Sequence, residues 1–143
     1  MSIKRNIESL PGLPLNHDSG TKKVLFNWQD VDTPCRQISI ASFHAGDVCE
    51  EHRHETLDEH FYWLKGQGCF VIDGETIPFS AGDYIYVPAK SNHSIFISAD
   101  SQCVCIGVDL DWQNNLNSSF AINIACSHSG IKEQNLQKRA YEN

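Results

Sequence analysis

The stretch from Gly46 to Gly66, GDVCEEHRHETLDEHFYWLKG, limits most what this chain can become. His52 and His54 are two residues apart. On an extended strand such residues point to the same face, so both imidazoles reach one point in space. Glu59 follows five residues after His54, which leaves room for a short turn and a second strand that returns the carboxylate to that point. His93, closing GDYIYVPAKSNH, offers a fourth ligand. Three imidazoles and one carboxylate suit a borderline divalent metal (iron, manganese, nickel, copper or zinc) rather than calcium or magnesium. Four protein ligands leave one or two positions open on a five- or six-coordinate ion, as metal catalysis requires. Because the imidazoles must be neutral to bind, occupancy is expected to weaken below about pH 6. The competing reading is a surface histidine pair beside a solvated glutamate.

Short apolar segments alternate with turn signals along the chain. TKKVLFNW (21–28) reads as a first strand and QDVDTPC (29–35) as a polar turn. RQISIASF (36–43) alternates, with Ile38 and Ile40 on one face and Gln37, Ser39 and Ala41 on the other. After Glu59, parity puts Phe61 and Trp63 on the carboxylate's face, which should be the interior, and His60, Tyr62 and Leu64 on the opposite one. Gly66 and Gly68 are expected to form a tight turn, and 69–79 a hairpin about Asp73-Gly74. YIYVP (84–88), HSIFIS (93–98) and CVCIGVDL (103–110) are further strands, with turns at 80–83 and 98–102. Short strands at intervals of about 8–12 residues predict an all-β sandwich or barrel. Residues 1–20, with Pro11, Gly12, Pro14 and Gly20, read as an extended arm over a sheet edge or a neighbouring subunit. Residues 120–127 read as one more strand and 130–143 as a short helix.

The spacing Gly46, five residues, His52-x-His54, four residues, Glu59, six residues, Gly66 resembles the first motif of the cupin superfamily at every position. Gly82, Pro88 and His93 stand at the matching positions of the second motif. Lys90 replaces its second glycine and Ile97 its final asparagine. The resemblance implies a single small β-barrel of jelly-roll, double-stranded β-helix type over residues 1–143. Its core would cover about 21–112, with an N-terminal arm (1–20) and a C-terminal extension (113–143). It also implies a metal at His52, His54, Glu59 and His93, a small-molecule ligand, and a homodimer. Cupin lyases acting on dimethylsulfoniopropionate carry a tyrosine two residues after the metal glutamate. Phe61 stands there and cannot transfer a proton, which weighs against that reaction.

The 143 residues suffice for one core without staples. A formal net charge of −7 without a basic patch argues against a nucleic-acid partner. No apolar run approaches the roughly 20 residues of a membrane helix, and no signal peptide opens the sequence, so a cytoplasmic protein is expected. Six cysteines without a C-x-x-C pair read as reduced thiols. Among them, Cys103 and Cys105 are core-like, and Cys49, though near enough to His52 to approach a metal, reads first as a buried thiol on a strand.

Two functions compete. One is an enzyme, a dioxygenase, isomerase or lyase of a small organic molecule, with Phe43, Phe61, Trp63, Phe70 and Ile95 either lining a pocket or filling the core. Its acid–base candidates are His44, His60 and Tyr62, then Glu55 and Asp58. The other is a non-catalytic binding or sensor module in which the metal holds a ligand or ties the barrel together.

Overall fold

The computed structural model describes residues 2–15, 19–30 and 33–114. The strand expected at 120–127, the helix at 130–143 and Cys126 lie outside the described residues. After a 3-10 turn at Ile7–Ser9 come β1 (Leu13–Pro14), β2 (Thr21–Asn27), β3 (Cys35–Phe43), β4 (Val48–His52), β5 (Leu57–Ile72), β6 (Glu75–Ser80), β7 (Tyr84–Val87) and β8 (His93–Asp109). Every pairing is antiparallel. The short β1 pairs with β2 through Leu13–Lys22 and Pro14–Thr21, so this part of the arm covers a sheet edge. The all-β barrel class expected from the alternation is the class found.

Two elements differ from expectation. Gly66 and Gly68 do not reverse the chain; β5 runs through them for 16 residues. Likewise 98–102 lies inside the 17-residue β8. The two strands pair along both halves and bend together, with register shifts between Trp63 and Gly68. The glycines serve close approach. A Cβ on Gly66, whose φ is 96°, would lie 2.0 Å from Ser101 Oγ, and one on Gly68 would lie 2.2 Å from the Phe96 carbonyl oxygen. The polar look of 98–102 has a local cause, since buried Ser101 donates to the Ala99 carbonyl at 2.6 Å. Polar residues and glycines at a shared bend resemble turn signals, because both conditions disturb the ladder.

Past the bend the sheet continues as a second wall. The β5 segment from Leu57 and the β8 segment to Asp109 join β3 and β7, whereas β8 from His93 and β5 to Ile72 join β4 and β6. The inner faces bury Phe43, Phe61, Trp63, Phe70 and Phe79. Trp63 stacks on Phe79 at 3.7 Å and 13°, and Phe61 meets Phe70 edge-on at 5.1 Å. The aromatic set offered as pocket lining or core therefore interlocks as core, at about 1.5–3 kcal/mol per fully buried side chain. On β3 the buried face is Ser39, Ala41 and Phe43. These small residues accommodate the large rings opposite.

The hairpin expected at Asp73-Gly74 is present, and the turn at Lys90 keeps a positive φ although the sequence has no glycine there. Asp73 (φ 49°) and Gly74 (φ 86°) give a two-residue turn of primed type between β5 and β6. Lys90 keeps a left-handed backbone (φ 70°) without being glycine, and its N–H donates to the His54 carbonyl at 2.6 Å. That bond ties the turn before β8 to the connection between β4 and β5.

Candidate metal centre

His52 ends β4, and His54 follows in the extended connection to β5. Glu59 lies near the start of β5 on its inward face, and His93 opens β8. His52 and His93 are cross-strand partners in the second wall, while Glu59 pairs with Gly107 and Val87 in the first. One potential ligand atom from each of the four residues lies within 4.8 Å of the others. The four groups therefore meet where the two walls face each other, at the end of the barrel away from the shared bend.

Local hydrogen bonds set how the rings point. Nδ1 of His52 donates to the Glu50 carbonyl at 2.8 Å, and Nδ1 of His93 donates to the Ser91 carbonyl at 3.0 Å. A carbonyl only accepts, so the proton of each neutral ring resides on Nδ1 and Nε2 carries the lone pair. The backbone before His93 is itself fixed, because Asn92 N–H donates to Asp73 Oδ1 at 2.9 Å and its carbonyl accepts from Asp73 N–H at 2.9 Å. Asp58, a candidate acid or base from sequence, accepts from Ala89 N–H at 2.8 Å and Tyr86 Oη at 2.9 Å, and so braces the same turn.

Glu59 Oε2 is 3.0 Å from His93 Nε2 and 3.4 Å from His54 Nε2. Both Glu59 Oε2 and His93 Nε2 are buried without a hydrogen-bond partner. With Nδ1 carrying the ring proton, two acceptors face each other across 3 Å. That arrangement requires a positive particle between them, a metal ion or a second proton on the ring. Burial alone would raise the Glu59 pKa, but contacts with His54 and His93 outweigh it and hold the carboxyl at about 2. Burial lowers His93, yet Glu59 more than offsets this and leaves it raised. The donor set, three soft-to-borderline nitrogens with one anionic oxygen, fits a first-row divalent ion.

The other sequence candidates point elsewhere. His44 is exposed, with Nδ1 3.8 Å from Asp100. His60 and Tyr62 lie on the outer face, where His60 Nδ1 meets Tyr84 Oη at 2.5 Å. Glu55 pairs with Arg53 at 2.7 Å. Cys49 is not in the converging set, and burial, with Cys103 and the negative Asp47 and Glu59 adding to it, pushes its thiol up to about 12, where it is neutral and a poor ligand. Sequence reading missed the bracing roles of Asp73 and Lys90. Asp-Gly had signalled only a turn, and nothing in it showed that the aspartate also holds the chain before His93.

Residues 39–109 match the family model described as Cupin domain. Over 49 residues the chain is 43% identical to quercetin 2,3-dioxygenase of Bacillus subtilis, which covers 34% of this chain and 14% of that protein. It is 27% identical over 97 residues to the oxalate-binding protein of Thermotoga maritima, covering 65% of this chain and 80% of that one. A solved Thermotoga maritima protein described as a predicted oxalate decarboxylase shares the fold, with a TM-score of 0.68 at 21% identity over 76% of this chain and 100% of that one. Among the described residues no helix is long and apolar enough to cross a membrane.

Proposed function

The chain belongs to the cupin superfamily, and from that premise we propose that it is a metal-dependent enzyme acting on a small organic molecule. In this reading His52, His54, Glu59 and His93 hold one divalent transition ion. The carrying observation is the buried pair of acceptors, Glu59 Oε2 and His93 Nε2, 3.0 Å apart with no hydrogen between them in the neutral tautomer. The ion supplies Lewis acidity and, if it is iron or manganese, redox chemistry. The protein's part is to fix the ring orientations through the Glu50 and Ser91 carbonyls and to keep the carboxylate ionised. The local likeness to a dioxygenase favours an oxidative reaction, and Phe61 in place of a proton-transferring tyrosine disfavours a lyase of the dimethylsulfoniopropionate type.

Elemental analysis of the purified protein tests this reading. About one equivalent of metal is expected in the wild type, with most of it lost in His93→Ala. A folded His54→Ala variant should lose turnover. Wild-type protein that takes up none of iron, manganese, nickel, copper or zinc would refute the reading.

A second reading, a non-catalytic ligand-binding or sensor cupin, draws support from one observation. His44, His60 and Glu55 are engaged away from the cluster and Tyr62 is exposed on the outer face, so no proton-transfer partner from that set faces it. The likeness to a protein named for binding oxalate agrees with it. Loaded protein that binds small acids yet turns over none of a broad panel would favour this reading. We also propose a cytoplasmic homodimer, supported by Tyr62, Leu64, Tyr84 and Tyr86 exposed on the outer sheet face; sedimentation would test the dimer.

A further inference from the structure

The chain repeats on β8 the spacing of His52 and His54. Cys103 and Cys105 are two residues apart, so both thiols leave the same face of the strand. That face is the inner one. Cys103 pairs with buried Ala41 and Trp63, and Cys105 with buried Ser39 and Phe61. The two sulfurs are in contact, Sγ to Sγ, at 3.4 Å. Glu59 pairs with Gly107, the next inward position along β8, and its charge acts on Cys105. The dithiol therefore shares the interior of the histidine cluster, on the side towards the bend. Cys103 is fully buried, while Cys105 keeps partial exposure, which gives a small solute its way in.

We propose that Cys103 and Cys105 form a chelating site for a neutral hydroxide of trivalent arsenic or antimony. Geometry decides between the uses of such a pair. Two strand rises put the Cα atoms about 6.6 Å apart, at the far end of what a disulfide spans, so an internal disulfide would strain β8. A tetrahedral zinc ion with bonds near 2.3 Å would hold two sulfurs about 3.8 Å apart, and a linear monovalent copper would spread them further. Pyramidal trivalent arsenic has bonds of similar length and narrower angles, so it fits the closer pair without opening it. Charge favours the same ligand. The contact with Cys103, burial, and the negative charges of Cys103 and Glu59 outweigh Lys22 and push the Cys105 thiol well up. A cation needs both thiols as anions, whereas As(OH)3 condenses with two neutral thiols. Each S–H proton leaves with one hydroxyl as water, and two As–S bonds replace two As–O bonds. No electrons are exchanged, and the product, RS–As(OH)–SR, is uncharged. Its remaining hydroxyl oxygen is an acceptor. Trp63, the cross-strand neighbour of Cys103, has a fully buried indole N–H with no acceptor among the described residues. An oxygen on the bound arsenic gives that donor a partner.

The dithiol uses none of the cluster residues, so the full chain, chelator-treated and kept reduced with a phosphine, serves for the test. Sodium arsenite is the probe, and native mass spectrometry reads its uptake. Wild type should gain one arsenic trihydroxide less two waters. Cys103→Ser and Cys105→Ser should each weaken binding about a hundredfold or more, because a chelate becomes a single bond. Cys69→Ser should bind as wild type does, since Cys69 lies on the outer face in the row of exposed Phe96. Cys103→Ala and Cys105→Ala repeat the comparison where a serine form does not fold. No uptake by wild type would overturn the proposal. So would an adduct that has lost only one water, uptake at wild-type strength in the Cys103 or Cys105 variants, or uptake abolished by Cys69→Ser.

Discussion

Replacing Glu59 by Gln in the metal-free protein isolates what one buried charge contributes. The Glu59 side chain is 22% exposed and touches His93 at 3.0 Å. Burial would raise its pKa, but the contacts with His54 and His93 bring it from 4.5 to about 2. At about 1.4 kcal/mol for each pH unit of separation, the network contributes on the order of 3 kcal/mol. The folded value is depressed, so this contribution is complete above pH 4.5 and is lost as pH falls towards 2. His93 supplies the opposite limb. Burial lowers it and Glu59 raises it further, so its net pKa is above 6.5. Its contribution is complete below 6.5 and is lost as pH rises through the raised value. Metal-free wild type should therefore be most stable between about pH 4.5 and 6.5. Urea unfolding in chelator, followed by tryptophan fluorescence from pH 3 to 8, measures this. The gap between wild type and Glu59→Gln should be greatest on that plateau and should shrink on both sides. A gap independent of pH would refute the argument, because the carboxylate would then contribute only its shape.

Three further outcomes follow from particular contacts. Metal affinity should fall about tenfold per pH unit once pH drops below the raised His93 value, since the ion must displace that proton. The decline should therefore begin above pH 6.5, earlier than the sequence alone led us to expect, and chelator competition will locate it. Gly66→Ala should destabilise by about 3 kcal/mol or more, because its Cβ would lie 2.5 Å from the Ser101 Cα at a φ of 96°; thermal unfolding reads the loss. Lys90→Gly should stabilise by roughly 0.5–1 kcal/mol in the same assay, since the left-handed backbone at φ 70° costs lysine more than glycine's extra chain entropy.

Much of this fold was legible because it rests on parity and turn chemistry. The inward face of Glu59, Phe61 and Trp63 and the Asp73-Gly74 hairpin follow from local rules alone. The convergence of His52, His54, Glu59 and His93 was legible from motif spacing, since the ladder converts spacing into position. The bend was not. Gly66, Gly68 and 98–102 carry the composition of turns, and only their contacts with one another show two continuous strands. Lys90 was opaque for a related reason. A left-handed residue without glycine is held there by a bond to the His54 carbonyl, a partner far away in sequence.

Glu59 and His93 belong to the two long strands that zip along both halves. The cluster cannot assemble before that far-reaching pairing closes, and such closures are late and slow events. An ion captured there would secure contacts that the transition state for folding has yet to make. It should then leave the refolding limb of a chevron nearly untouched while lowering the unfolding limb, acting as a latch on a finished barrel rather than as a seed for it.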